Sequence, residues 1–190
     1  MDELTLSPIR RVDGSIEPPG SKSISNRALP LAALAAGTTR VLNLPDGEDV
    51  ELMRKALETL GVGLEGDLKA LAVKGRGKGF SNREPIELFL GNSGTTTRTL
   101  TSLVAAGEGE YILKGVPRMH ERPIGDLVDA LRHLANPAGL PGKSGQPGAD
   151  VAAAVAAFLG GTQIIYAGKP GFPPLRILAD RKSTRLNSSH

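Results

Sequence analysis

The chain has 190 residues, 39% hydrophobic and 23% charged, which is enough for one ordinary domain with a core of its own. It contains no cysteine, which excludes disulfides and thiolate metal sites, and its three histidines (His120, His133 and His190) are scattered without metal-ligand spacing. The formal charge of +3 comes from residues 181–190, where Arg181, Lys182 and Arg185 meet no acid; the body is neutral, and with aromatics at 3% it offers few stacking platforms for nucleic acid.

The opening residues (MDELTLSPIRR) are charged and lack the apolar stretch of a signal peptide. The longest apolar runs, 28–36 and 151–159, fall short of the ~18–20 residues a membrane span requires, so a cytoplasmic location is expected. Loose alternation over 4–12 predicts a strand, followed by a short one at 15–17. Pro18-Pro19-Gly20 ends it, and a helix is expected over 22–36, with Gly37 as its C-cap. Pro30 removes a backbone bond inside that helix, at ~3 kcal/mol if uncompensated, and predicts a kink near 26–30.

Residues 38–44 read as a strand. A helix over 50–60, capped by Asp46 or Asp49, carries Val50, Met53, Leu57 and Leu60 on one face. Strands at 62–64 and 68–73 turn at Gly66-Asp67, and 75–82 is a loop. A strand at 86–90 feeds a helix over 93–106, then a strand at 110–114. The loop 115–125 (GVPRMHERPIG) holds Arg118, His120 and Arg122 and leads through Pro123 into a helix over 124–134. Residues 135–148 form a Pro/Gly-rich linker and 149–159 an Ala-rich helix, and strands return at 162–166 and 175–178. The tail 181–190 is unlike the body in composition and reads as non-native.

Gly20-Ser21-Lys22-Ser23-Ile24-Ser25-Asn26-Arg27 outlines an anion site. A serine N-cap turns the first-turn N–H groups outward, beside the Lys22 ammonium and the planar fork of Arg27. A capped surface helix with two solvated cations is the plainer reading. Gly91-Asn92-Ser93-Gly94-Thr95-Thr96-Thr97-Arg98 repeats the layout about 70 residues later, and the likeness continues downstream, so the chain reads as a duplicated α/β unit. Arg122 arrives at the corresponding point before the next helix. Nucleotide binding by a P-loop is disfavoured, since GxxxxGK[ST] is absent.

With GSKSISNRAL, LGNSGTTTR and PRMHERPIGDLVDAL in this order, the chain resembles the 5-enolpyruvylshikimate-3-phosphate (EPSP) synthases over residues 1 to about 134 and again over 161–178. The related UDP-N-acetylglucosamine enolpyruvyl transferases share the architecture and are the alternative. The resemblance implies an α/β fold of repeated βαβαββ units, a partial copy of a two-domain protein. On that view 1–16 belongs to the other domain, 17–134 forms two repeats, 135–160 is an atypical insertion and 161–180 supplies returning strands.

The implied reaction moves the carboxyvinyl group of phosphoenolpyruvate to the 5-hydroxyl of shikimate 3-phosphate through a tetrahedral intermediate, releasing phosphate, with no metal or organic cofactor. By motif position Lys22 contacts phosphoenolpyruvate and is the candidate catalytic residue. Ser23 and Arg27 hold shikimate 3-phosphate; Asn92, Gly94 and Arg122 hold the carboxylate or phosphate of phosphoenolpyruvate. Thr99 stands where many members have proline. The chain is under half the family's length, so a complementary carboxy-terminal half is the implied partner. A non-catalytic anion-binding fragment is the rival reading.

Overall fold

The computed structural model describes residues 4, 8, 10–135 and 159–180. In chain order these form α1 (Lys22–Leu34), β1 (Ala36–Leu42), α2 (Glu48–Thr59), β2 (Gly63–Gly66), β3 (Ala70–Arg76), β4 (Ile86–Phe89), α3 (Gly94–Ala105), β5 (Gly109–Lys114), a 3-10 turn (Pro117–Glu121), α4 (Gly125–Ala135), β6 (Gln163–Tyr166) and β7 (Leu175–Ala179).

The second half is a complete β-α-β-α-β-β unit. Its strands lie in the order β4-β5-β7-β6, with β4 and β5 parallel around α3 and the remaining pairs antiparallel. The first half repeats it one strand short: β1-β3-β2, antiparallel throughout. Among the described residues the first unit has no opening strand. The described residues of the two strands expected at 4–12 and 15–17 carry no ladder, and Leu4, Val12 and Ile16 are more than four-fifths exposed. Alternation marks a face to bury, but a strand needs a neighbour to accept its hydrogen bonds.

Each sheet presents one face to the helices, and α1 packs on β3, α3 on β7, and α1 and α2 against α3. Leu29, Met53, Leu57, Leu71, Leu100 and Tyr111 are fully buried in this shared core. The Tyr111 phenol donates to the Glu108 carbonyl at 3.0 Å, and burial pushes its pKa up to about 12.

Several boundaries differ from expectation for physical reasons. Helix α1 continues through Pro30 but ends at Leu34 with Ala35 as its cap, and Gly37 lies within β1 at φ 80°. Neither aspartate caps α2: Gly47 holds that position without a side-chain bond, and Asp49 sits inside the first turn. Strand β3 extends through Gly75 and Arg76, residues expected in a loop, because they pair with Gly37 and Ala36. Pro123 precedes α4 instead of lying in it, and the loop before it contains the 3-10 turn. Of the linker and helix expected over 135–159, residues 136–158 lie outside the described residues, as does the tail 181–190; Leu159 joins the core.

Candidate anion-binding site

Two helix heads form the floor of the site. Ser21 caps α1, its Oγ accepting from Ile24 N–H at 3.4 Å, and Ser93 caps α3 in the same way through Thr96 N–H at 3.4 Å. Ser25 Oγ donates to the Ser21 carbonyl at 2.9 Å, and Thr97 Oγ1 to the Ser93 carbonyl at 2.8 Å. These matching caps shift the repeat by one residue from the alignment of the two octets: Ser21 corresponds to Ser93, and Asn92 stands opposite Gly20. Arg27 and Arg98 are therefore not equivalent. Arg27 donates to the Ser23 carbonyl at 2.9 Å, whereas Arg98 donates to Gly94 at 3.1 Å and also to Pro123 at 2.6 Å, tying α3 to the loop ahead of α4.

Asp49 joins the two heads. Its Oδ2 lies 2.6 Å from Lys22 Nζ. Its backbone carbonyl accepts from Thr96 Oγ1 at 3.2 Å, and Thr96 in turn accepts from Ser93 Oγ at 2.6 Å. Burial raises the Asp49 pKa, but hydrogen bonds from Lys22 and Ser93, with the positive charges of Lys22 and Arg122, outweigh it and hold the carboxyl below the usual aspartate value.

Arg122 closes the other side, its Nη1 donating to the Asn92 carbonyl at 2.8 Å. Asn92 Oδ1 is buried without a partner among the described residues, and an asparagine amide can turn either end inward. Gly94 begins α3 under the guanidiniums: a Cβ there meets Arg98 Nη1 at 2.9 Å and Arg122 Cζ at 3.0 Å. Lys22, Asn92, Gly94 and Arg122 thus come together, with two helix N-termini and two cations suited to a small polyanion.

Ser23 and Arg27 stand apart from this cluster. Both are exposed, and Arg27 lines a nearly all-carbon groove between α1 and α3 with Pro30, Leu31, Thr99 and Leu103. Thr99, singled out in the sequence, belongs to that groove. Sequence reading missed two residues. Asp49 stands in the sequence only as one of two candidate caps, with Asp46, and its ion pair with Lys22, 27 positions earlier in the chain, has no local signature. Arg98 was read as a mark of the repeat, although its fork holds the Arg122 loop in place.

Repeated β-α-β-α-β-β units with cations gathered at their helix heads define an α/β protein of the enolpyruvyl transferase fold. A sequence model of EPSP synthase (3-phosphoshikimate 1-carboxyvinyltransferase) matches residues 6–164, and the chain belongs to that family. It is 46% identical over 179 residues to the 3-phosphoshikimate 1-carboxyvinyltransferase of Vibrio cholerae serotype O1 (strain M66-2), covering 93% of this chain. It is 55% identical over 134 residues to that of Vibrio campbellii, covering 70% of this chain and 32% of the relative. The chain spans 36% of the length of the Vibrio cholerae relative. The EPSP synthase structure from Acinetobacter baumannii superposes with a TM-score of 0.64 at 26% identity, over 87% of this chain and 32% of that one.

Proposed function

We propose that this chain is a substrate-binding part of a 3-phosphoshikimate 1-carboxyvinyltransferase, which moves the enolpyruvyl group of phosphoenolpyruvate to the 5-hydroxyl of shikimate 3-phosphate. The observation that carries the reading is the continuous set of contacts from Lys22 through Asp49 and Ser93 to Asn92 and Arg122, at the heads of two repeated helices. In this reading the cations and helix N–H groups bind the carboxylate and phosphate, and they stabilise charge that grows as the tetrahedral intermediate forms. Lys22 faces phosphoenolpyruvate, with Asn92, Gly94 and Arg122 around it. Ser23 and Arg27, on the outer face of the same helix, serve shikimate 3-phosphate.

The acidic group that takes up the hydroxyl proton belongs to the remainder of the relatives' length, so turnover requires that portion. The described residues before Pro18 carry no ladder, and this, with Val12 and Ile16 exposed, supports assigning 1–16 to a second domain. No helix among the described residues is long and apolar enough to cross a membrane, and a biosynthetic enzyme of this family fits the cytoplasm. The family model and the relatives described above, all 3-phosphoshikimate 1-carboxyvinyltransferases, favour this reading over the UDP-N-acetylglucosamine alternative.

The test is calorimetry of the chain with phosphoenolpyruvate and with shikimate 3-phosphate, followed by a phosphate-release assay. The assay mixes the chain with the separately produced remainder of the Vibrio cholerae relative. Binding by the chain alone, with phosphate released only in the mixture, is expected. Binding without release in any mixture favours a non-catalytic anion-binding domain.

A further inference from the structure

We propose that Asp49 is a positioning residue: it holds the Lys22 ammonium at the head of α3, so that the site selects a ligand bearing both carboxylate and phosphate over bare phosphate. The inference rests on the phosphoenolpyruvate reading above and names what makes that site selective.

A carboxylate in the middle of an anion site opposes ligand binding by simple charge, so its place there calls for a compensating role. Asp49 contacts Lys22 directly at 2.6 Å, and its side chain is 21% exposed against 58% for Lys22. The anchor is therefore the better-buried partner and the lysine the more mobile one. Asp49 is itself fixed, since its own carbonyl accepts from Thr96 Oγ1 at 3.2 Å. The charged groups around it are Lys22 from α1 and Arg122 from the loop before α4, with Ser93 supplying a hydroxyl from α3. Glu48 and Glu51 are its neighbours on α2, and Glu51 is engaged by Arg54 at 3.2 Å and Lys55 at 3.4 Å.

A lysine stem has four rotatable carbons, and a free ammonium on it neutralises any anion within reach. Tethered to Asp49, the same charge sits at one place relative to Arg122 and the α3 N-terminus. Two fixed positive centres match a ligand with two anionic ends. A compact phosphate can satisfy only one of them.

The test uses the whole chain and two readouts. The ε-carbon of Lys22, followed by NMR against pH, reports its carboxylate neighbour, and calorimetry gives the ratio of affinities for phosphoenolpyruvate and inorganic phosphate. In the wild type the Lys22 signal is expected to follow a carboxylate titration, and in Asp49→Asn that transition disappears. The preference for phosphoenolpyruvate then falls at least fivefold, with phosphate affinity within twofold of its starting value or higher. Asp49→Glu, which keeps the charge on a longer arm, retains the Lys22 titration with a smaller loss of preference, and it stands in should the asparagine variant fail to fold. A Lys22 signal indifferent to pH in the wild type, or an affinity ratio unchanged in Asp49→Asn, overturns the proposal. A wild-type chain that binds no phosphoenolpyruvate overturns the functional reading, while the Lys22 titration still decides whether Asp49 holds the ammonium.

Discussion

Two glycines at the helix heads show how differently one added methyl group can act. A Cβ on Gly20 falls 1.8 Å from the Asn43 backbone oxygen, which cannot retreat without moving the end of β1. Gly20→Ala is expected to cost about 2–4 kcal/mol, read as a lower urea midpoint. At Gly94 the obstructing atoms are the ends of the Arg98 and Arg122 side chains, which can swing away. Gly94→Ala is expected to change stability by less than about 1 kcal/mol but to weaken phosphoenolpyruvate binding about tenfold, because one displaced group is the Arg122 guanidinium proposed to bind the ligand and the other, Arg98, ties down its loop. Asp49 adds a pH dependence. Its carboxyl titrates below 3.8 when folded, so its contribution to stability is complete above that value and is lost as pH falls through the lower folded pKa. With Lys22 more than half exposed, the pair is worth about 1 kcal/mol at most. Urea midpoints of wild type and Asp49→Asn are therefore expected to differ at neutral pH and to converge in acid, as pH falls through the lowered Asp49 pKa.

At the scale of single elements, the two caps test whether the repeated turn has equal weight in both units. Ser93 is buried and links Thr96 to the α2 carbonyl network, whereas Ser21 is exposed and bonds only within its own turn. Ser93→Ala is expected to cost about 1–2 kcal/mol and Ser21→Ala about 0.5 kcal/mol, compared by thermal unfolding. This asymmetry was out of reach of the sequence, where both read as hydroxyls after a glycine. What was legible is local: each helix from α1 to α4 could be found from its apolar spacing and its small-residue or proline start, because those signals lie within one or two turns. What failed depends on partners. The strand expected at 15–17 has the right pattern but no pairing partner among the described residues, and β3 runs past its expected end because β1 supplies one. The site followed the same division. Lys22 stands out by residue type at a helix start and Arg122 by its place in the repeat, whereas Asn92 and Gly94 enter the proposed site through the family resemblance; Asp49 and Arg98 make their contacts only because α2 and the loop before α4 are brought against α1 and α3.

For the molecule as a whole, the alternation of strands and helices made a duplicated unit visible, but not which strands touch. The second sheet is closed by residues far along the chain: β7 lies between β5 and β6, and Tyr111 and Leu113 of β5 are buried beside Leu175 and Ile177. Thr162 fastens the same region to the helical layer, its Oγ1 donating to the Ala105 carbonyl at 3.0 Å, and Arg132 of α4 grips the Ile164 carbonyl through Nη2 at 2.6 Å. Ending the chain after residue 135 removes all of these at once. Strand β5 would keep only its parallel partner β4, and the apolar face of α3 that meets β7 would be open to water. A parallel pair of four residues is too small to hold such a face. The 1–135 piece is therefore expected to lose cooperative unfolding in urea and to bind a hydrophobic dye at neutral pH. The first unit does not rescue it, because α1 and α2 share their core with α3 instead of closing one of their own. A sharp urea transition in that piece, with a slope in proportion to its length, would show that the two repeats are independent folding units and that the return of β6 and β7 is dispensable.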